Sequence, residues 1–115
     1  MQLKNVLITA PDLDRALASF STLSAAPVAF RDGDQYAVLD PGAARLGVAF
    51  ATPDDHPAPG ELVLTAKAEH VEQAAAALVA DGGEIVHPAY RGGHEVRALV
   101  RTAGGFLVMI YGPEQ

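Results

Sequence analysis

Hydrophobic positions along the chain follow two periods in turn, and each half runs through them in the same order. Val6-Leu7-Ile8-Thr9-Ala10 is mostly apolar on both sides of the alternation, which predicts a strand covered on both faces. Pro11 ends it. Asp12 is then placed to cap a helix, and Asp14 sits in the first turn, where the helix dipole favours a negative charge. Leu13, Leu17, Phe20 and Ser24 recur at helical spacing, and Ala16 and Leu23 widen the stripe, so this helix has one face to lay on a sheet. Pro27 stops it.

Short strands follow at Val28 to Phe30, Tyr36 to Leu39 and Leu46 to Phe50. Asp32-Gly33-Asp34 and Asp40-Pro41-Gly42 punctuate them as turns. The stretch 52–60 is polar and proline-rich and reads as a linker. The order then repeats. Leu62 to Ala66 predicts a strand, and about Glu69 to Ala80 a helix with Val71, Ala74, Ala75, Leu78 and Val79 inward. Gly82-Gly83 closes that helix. Further strands are expected at Glu84 to His87, Val96 to Arg101 and Phe106 to Tyr111, with Ala89 to Gly93 read as a loop. Thr9 corresponds to Thr65, Leu13 to Val71, Asp14 to Glu72 and Phe20 to Leu78, so one unit is written twice. The expected fold is α+β: two tandem βαβββ modules, over 1–51 and 61–115 of a single domain, forming a cupped sheet.

Composition narrows the function classes. The 115 residues carry a net charge of −6, which opposes nucleic-acid binding. There are no cysteines, hence no disulfides and no thiolate chemistry. No apolar run approaches the roughly 18 residues of a membrane span. The start, Met1-Gln2-Leu3-Lys4, lacks the layout of a secretion signal, so a cytoplasmic protein is expected. No nucleophile elbow, P-loop or dinucleotide fingerprint is present. The four histidines, His56, His70, His87 and His94, show no mutual ligand spacing and read as solvated or locally bonded.

This order of elements resembles the vicinal oxygen chelate superfamily, which includes glyoxalase I, bleomycin-resistance proteins and extradiol dioxygenases. The likeness covers nearly the whole chain. It is carried by Val6 to Phe20, by Val71 to Gly83, and by Leu99 to Ile110, where Thr102-Ala103-Gly104-Gly105-Phe106 stands for the family's Asp-Pro-Asp-Gly-Asn turn and shares Gly105 with it. The family's four metal-ligand positions, commonly His or Glu, fall on Asn5, on Gly47 or Ala49, on Glu61 or Val63, and on Met109. Only Glu61 is a ligand of the usual type, so no metal and no other cofactor is expected.

The resemblance then implies a metal-independent, glyoxalase/bleomycin-resistance-like homodimer that sequesters a small apolar or aromatic molecule, an antibiotic or a metabolite, in its cup. Strand parity offers Asn5, Leu7, Tyr36, Glu61, Val63, Arg97, Met109 and Tyr111 as the ligand-binding residues, with Thr9 and Ala49 beside them. Two alternatives stay open. One is a metal-dependent lyase, isomerase or dioxygenase using non-standard ligands such as Glu61 and His94. The other is a structural module whose cup is filled by its own side chains, Leu7, Val63 and Met109 among them.

Overall fold

The computed structural model describes residues 1–23, 26–42, 47–51 and 62–114. The elements are β1 (Gln2–Thr9), α1 (Leu13–Leu23), β2 (Val28–Asp32), β3 (Tyr36–Leu39), β4 (Gly47–Ala51), β5 (Leu62–Lys67), α2 (Val71–Ala80), β6 (Glu84–Gly92), β7 (Glu95–Arg101) and β8 (Leu107–Gly112). This is an α+β fold of two βαβββ modules. Ser24, Leu46, the 52–60 segment with His56, and Glu61 lie outside the described residues. Contacts divide the chain into two compact units, Asn5–Leu62 and Val63–Gln115, and Met1–Lys4 belong with the second.

In the first unit the strand order is β2-β3-β4-β1. β1 runs parallel to β4, with Leu7 opposite Ala49, and β3 pairs antiparallel with both β2 and β4. The Asp12 carboxylate accepts the Arg15 amide at 3.1 Å, so it caps α1 as its position suggested. α1 lays Leu13, Leu17 and Phe20 on one face of this sheet, against Ile8, Ala37, Leu39 and Phe50. The Phe20 and Phe50 rings meet edge to face at 5.6 Å. Asp14 also ties α1 to β2 through a 2.7 Å ion pair with Arg31.

The second unit repeats the plan with strand order β5-β8-β7-β6. α2 covers one face, setting Val71, Ala74, Ala75 and Leu78 against Ala66, Ala98, Val100, Val108 and Ile110. It begins at Val71 rather than Glu69, with His70 in the cap position. It ends through Gly82, whose φ of +104° only glycine adopts without strain, and Gly83, whose amide donates to the Leu78 carbonyl at 2.9 Å.

One expectation is corrected here. Ala89 to Gly92 is not a loop, because β6 runs on through Pro88 to Gly92. The ladder with β7 has register breaks on both sides of His87. β6 is the outer strand of its unit, where a proline and bulges cost no ladder on the far side. The extension carries Tyr90 to a position opposite Arg97.

Candidate functional site

In each module the helix takes one face of the strands, and alternation sends every second residue to the other. In the first unit that helix-free face carries Asn5, Leu7 and Thr9 from β1, with Gly47, Ala49 and Ala51 as their partners on β4 and Tyr36 on β3 opposite Ala51. A side chain on Gly47 would run into the Asn5 amide oxygen, so glycine makes room for Asn5 here. Leu7 and Ala49 are fully buried, whereas Asn5, Thr9 and Tyr36 keep exposed surface. Phe30 on β2 stands 57% exposed, its ring 6.3 Å from that of Tyr36.

The second unit carries the denser arrangement. Register places Lys67, Tyr111, Arg97 and Tyr90 in one row across β5, β8, β7 and β6. Register partners share a face, so this row lies on the helix-free side. A second row follows: Thr65, Met109, Leu99 and His87. Thr65, Met109 and Leu99 are buried, and Val63, one row further, has no exposed surface. A polar row thus runs beside an apolar, closed one.

The polar row is held in place. Arg97 Nε donates to Glu95 Oε2 at 2.8 Å, with the Arg97 side chain 13% exposed and that of Glu95 32%. A Cβ on Gly92 would come within 2.9 Å of the Arg97 guanidinium carbon, so this glycine is the bed on which the guanidinium lies. The Tyr90 hydroxyl is buried. The His87 ring lies 4.4 Å from that of Tyr90, and its Nδ1 donates to the Pro88 carbonyl at 2.7 Å, which puts the ring proton on Nδ1.

Burial, and then the negative charge of Glu95, push the Tyr111 hydroxyl above the ordinary tyrosine value of 10.0. The phenol therefore stays protonated and acts as a hydrogen-bond donor through the physiological range. The folded chain keeps this proton to higher pH than the unfolded chain. Its contribution to stability is complete below pH 10 and falls away as pH rises further. Absorbance at 295 nm should show a late-ionising tyrosine step that Tyr111→Phe removes, and the same substitution should flatten the alkaline fall in stability.

The eight expected ligand-binding residues therefore separate. Asn5, Leu7 and Tyr36 share the helix-free face of the first unit. Val63, Arg97, Met109 and Tyr111 share that of the second. Glu61 lies outside the described residues. Leu7, Val63 and Met109 are buried, while Asn5, Tyr36, Arg97 and Tyr111 retain exposed surface. Sequence reasoning missed Lys67, Thr65 and Tyr90 as members of these rows, and Glu95 as the partner that holds Arg97.

The described metal positions implied by the family hold an amide at Asn5, nothing beyond a methyl at Gly47 and Ala49, an isopropyl at Val63 and a thioether at Met109, and Glu61, the alternative to Val63, lies outside the described residues. A hard or borderline divalent ion needs several imidazole or carboxylate donors, so these residues do not fit one. Among the described residues no three His, Cys, Asp or Glu side chains gather as a metal site. His94 is exposed beyond the Gly93 turn, and its neighbour Glu95 is engaged by Arg97.

The comparisons with known proteins agree with this architecture. An uncharacterized protein of Mycolicibacterium smegmatis is 38% identical over 112 residues, covering 97% of this chain and 94% of that one. The crystal structure of a glyoxalase/bleomycin resistance protein/dioxygenase superfamily member from Vibrio splendidus superposes with a TM-score of 0.67 at 13% identity, over 98% of this chain and 100% of that one. Methylmalonyl-CoA epimerase from Mycobacterium tuberculosis gives 0.64 at 18% identity, over 99% and 89%. At such identities the likeness shows a shared fold and leaves activity open. The sequence model of the Glyoxalase/Bleomycin resistance protein/Dioxygenase superfamily matches residues 2–110, and the chain belongs to that superfamily.

Proposed function

We propose that this protein binds a small, largely apolar or aromatic molecule without a metal ion, on the helix-free face of its second module. The observation that carries the reading is the fixed Glu95–Arg97 pair and the Tyr111 hydroxyl set beside the buried Met109–Leu99 row. Binding sites for small molecules combine an apolar lining with a few positioned polar groups in this way. Binding alone, as in sequestration of an antibiotic or metabolite, asks for no covalent step. The donor chemistry at Asn5, Val63 and Met109 supports the metal-free form of the reading. A homodimer and a cytoplasmic setting complete it. Exposed Phe30 and Val28 on β2, the outer strand of the first unit, give dimer formation a physical motive.

The test is a thermal-shift screen of the tag-free protein against apolar and aromatic compounds, with elemental analysis of the gel-filtered sample. A ligand at 100 times its Kd should add about 2.7 kcal/mol of stability by mass action. EDTA should leave both the shift and the melting temperature unchanged, and gel filtration should report twice the 11.9 kDa chain mass. Near-stoichiometric metal that survives gel filtration, together with a lower melting temperature in EDTA, would overturn the metal-free reading.

A further inference from the structure

The polar row of the second module contains more hydrogen-bond donors than its own neighbours use. Lys67 closes β5 and is exposed, and its ammonium makes no ion pair or hydrogen bond among the described residues. Tyr111, its register partner, keeps part of its surface, and its hydroxyl makes no hydrogen bond among the described residues either. Arg97 follows on the far side of Tyr111. Adjacent strands lie roughly 5 Å apart, so the three side chains leave the sheet along a line of about 10 Å.

The acceptors nearby are accounted for. Glu95 is held by Arg97 at 2.8 Å. Glu69, which lines the same surface, has an interaction of its own. Beside Lys67 the surface opens into a depression of about 290 Å³, lined by Gln2, Lys67, Ala68, Glu69 and Pro113. It adjoins Tyr111, whose carbonyl accepts the Ala68 amide at 2.9 Å. The Lys67 ammonium thus stands at a small depression, and the Tyr111 phenol is its register partner on the same face, with the apolar Met109–Leu99 row next to them.

We infer that the ligand is an apolar acid whose oxyanion, a carboxylate or a sulfonate, is held by the Lys67 ammonium and the Tyr111 hydroxyl, with Arg97 behind them as the fixed positive charge. The chemistry of the donors selects this class. Lysine offers only N–H groups and a positive charge. A protonated phenol can donate to the same oxyanion, whereas a ligand that offered only donors would leave the ammonium without a partner and could use the phenol only through its oxygen. A charge-assisted bond is roughly twice as strong as a neutral one, which favours an anion over a ketone or an amide. Glu95 keeps Arg97 in register without occupying Tyr111. The inference rests on the proposed binding function and adds the charge of the ligand.

The experiment uses two fluorescent probes that differ in one group: 1-anilinonaphthalene-8-sulfonate and its uncharged counterpart N-phenyl-1-naphthylamine. The full-length protein should bind the sulfonate at least about tenfold more tightly, the size of one hydrogen bond to a charged group. That preference should shrink as salt is raised from low to high concentration, because Lys67 is exposed and screened. Tyr111→Phe and Lys67→Met should each reduce the ratio of the two affinities, and the double variant should bring it near one. Equal affinity of the wild-type protein for both probes would overturn the acid inference and leave the binding function standing. Failure of both probes to bind would overturn both. The salt series needs no variant, so the result stands even where a substitution disturbs folding.

Discussion

Gly112→Ala should cost about 3 kcal/mol of stability, the upper part of the range for forcing volume into a filled site. Gly112 ends β8 opposite Val96 and is buried. A Cβ there would collide with the Ala68 carbonyl oxygen, and would come within 3.1 Å of the Ala68 carbonyl carbon and 3.2 Å of Val71 Cγ2. Neither neighbour has room to retreat. Ala68 is tied by its amide to the Tyr111 carbonyl at 2.9 Å. Val71 is the first residue of α2, and its side chain belongs to the core. The strand end would have to part from the helix start. The backbone at Gly112 is not in the left-handed region, so the cost is steric. Stiffening the unfolded chain offsets only about 0.4–1 kcal/mol of it. Gly93 is the converse case, with a φ of +64° and no atom within 4 Å of an added Cβ. Gly93→Ala should cost about 1 kcal/mol, from backbone strain alone. Urea denaturation of both variants measures the difference. A Gly112→Ala protein within about 0.5 kcal/mol of wild type, the scatter of an ordinary surface change, would contradict this account of the junction.

The parts of the fold that could be read in the sequence are those whose signals are local. The Asp12 cap, the stripe of Leu13, Leu17 and Phe20, and the closing Gly82-Gly83 each act within one or two turns of chain. They survive folding because nothing distant competes with them. β6 was misjudged because Pro88, Gly92 and Gly93 are strong turn residues, and only a position at the outside of a sheet makes them compatible with a strand. Sheet position is a tertiary property and leaves no mark on the nine residues themselves. The error hid Tyr90, since a loop residue has no parity to count.

The site was legible to the extent that parity reaches. Counting by two along β7 and β8 placed Arg97, Met109 and Tyr111 on one face. The same count along β5 leads from Val63 to Thr65 and Lys67, and along β7 it leads back from Arg97 to Glu95. Parity therefore reaches Lys67 and Glu95 as well, although neither is among the expected ligand-binding residues. Burial was legible only as one of two open alternatives, the cup filled by Leu7, Val63 and Met109, and the sequence alone does not divide these buried side chains from Tyr36 and Tyr111, which keep exposed surface. That division depends on what covers each strand, and it decides which candidates can touch a ligand.

Arg97→Met should cost about 2 kcal/mol, and the loss should be partly recovered by adding Glu95→Gln. Removing one partner of a sequestered ion pair leaves the other as an uncompensated charge, which is worse than removing both. Complete burial would put the cost at roughly 3–5 kcal/mol, and the 32% exposure of Glu95 lets water reduce it. Methionine retains most of the stem volume above Gly92, so the loss reports charge and hydrogen bonding rather than a cavity. A double-mutant cycle isolates the coupling, expected at about 1–2 kcal/mol. A coupling near zero would mean that the 2.8 Å contact holds nothing in place. A coupling of the expected size would mean that Arg97 is fixed before any ligand arrives. The proposed metal-free site relies on its side chains to orient a bound molecule, so those side chains must already be ordered. The Glu95–Arg97 pair on its glycine bed is the feature of this chain best placed to supply that order.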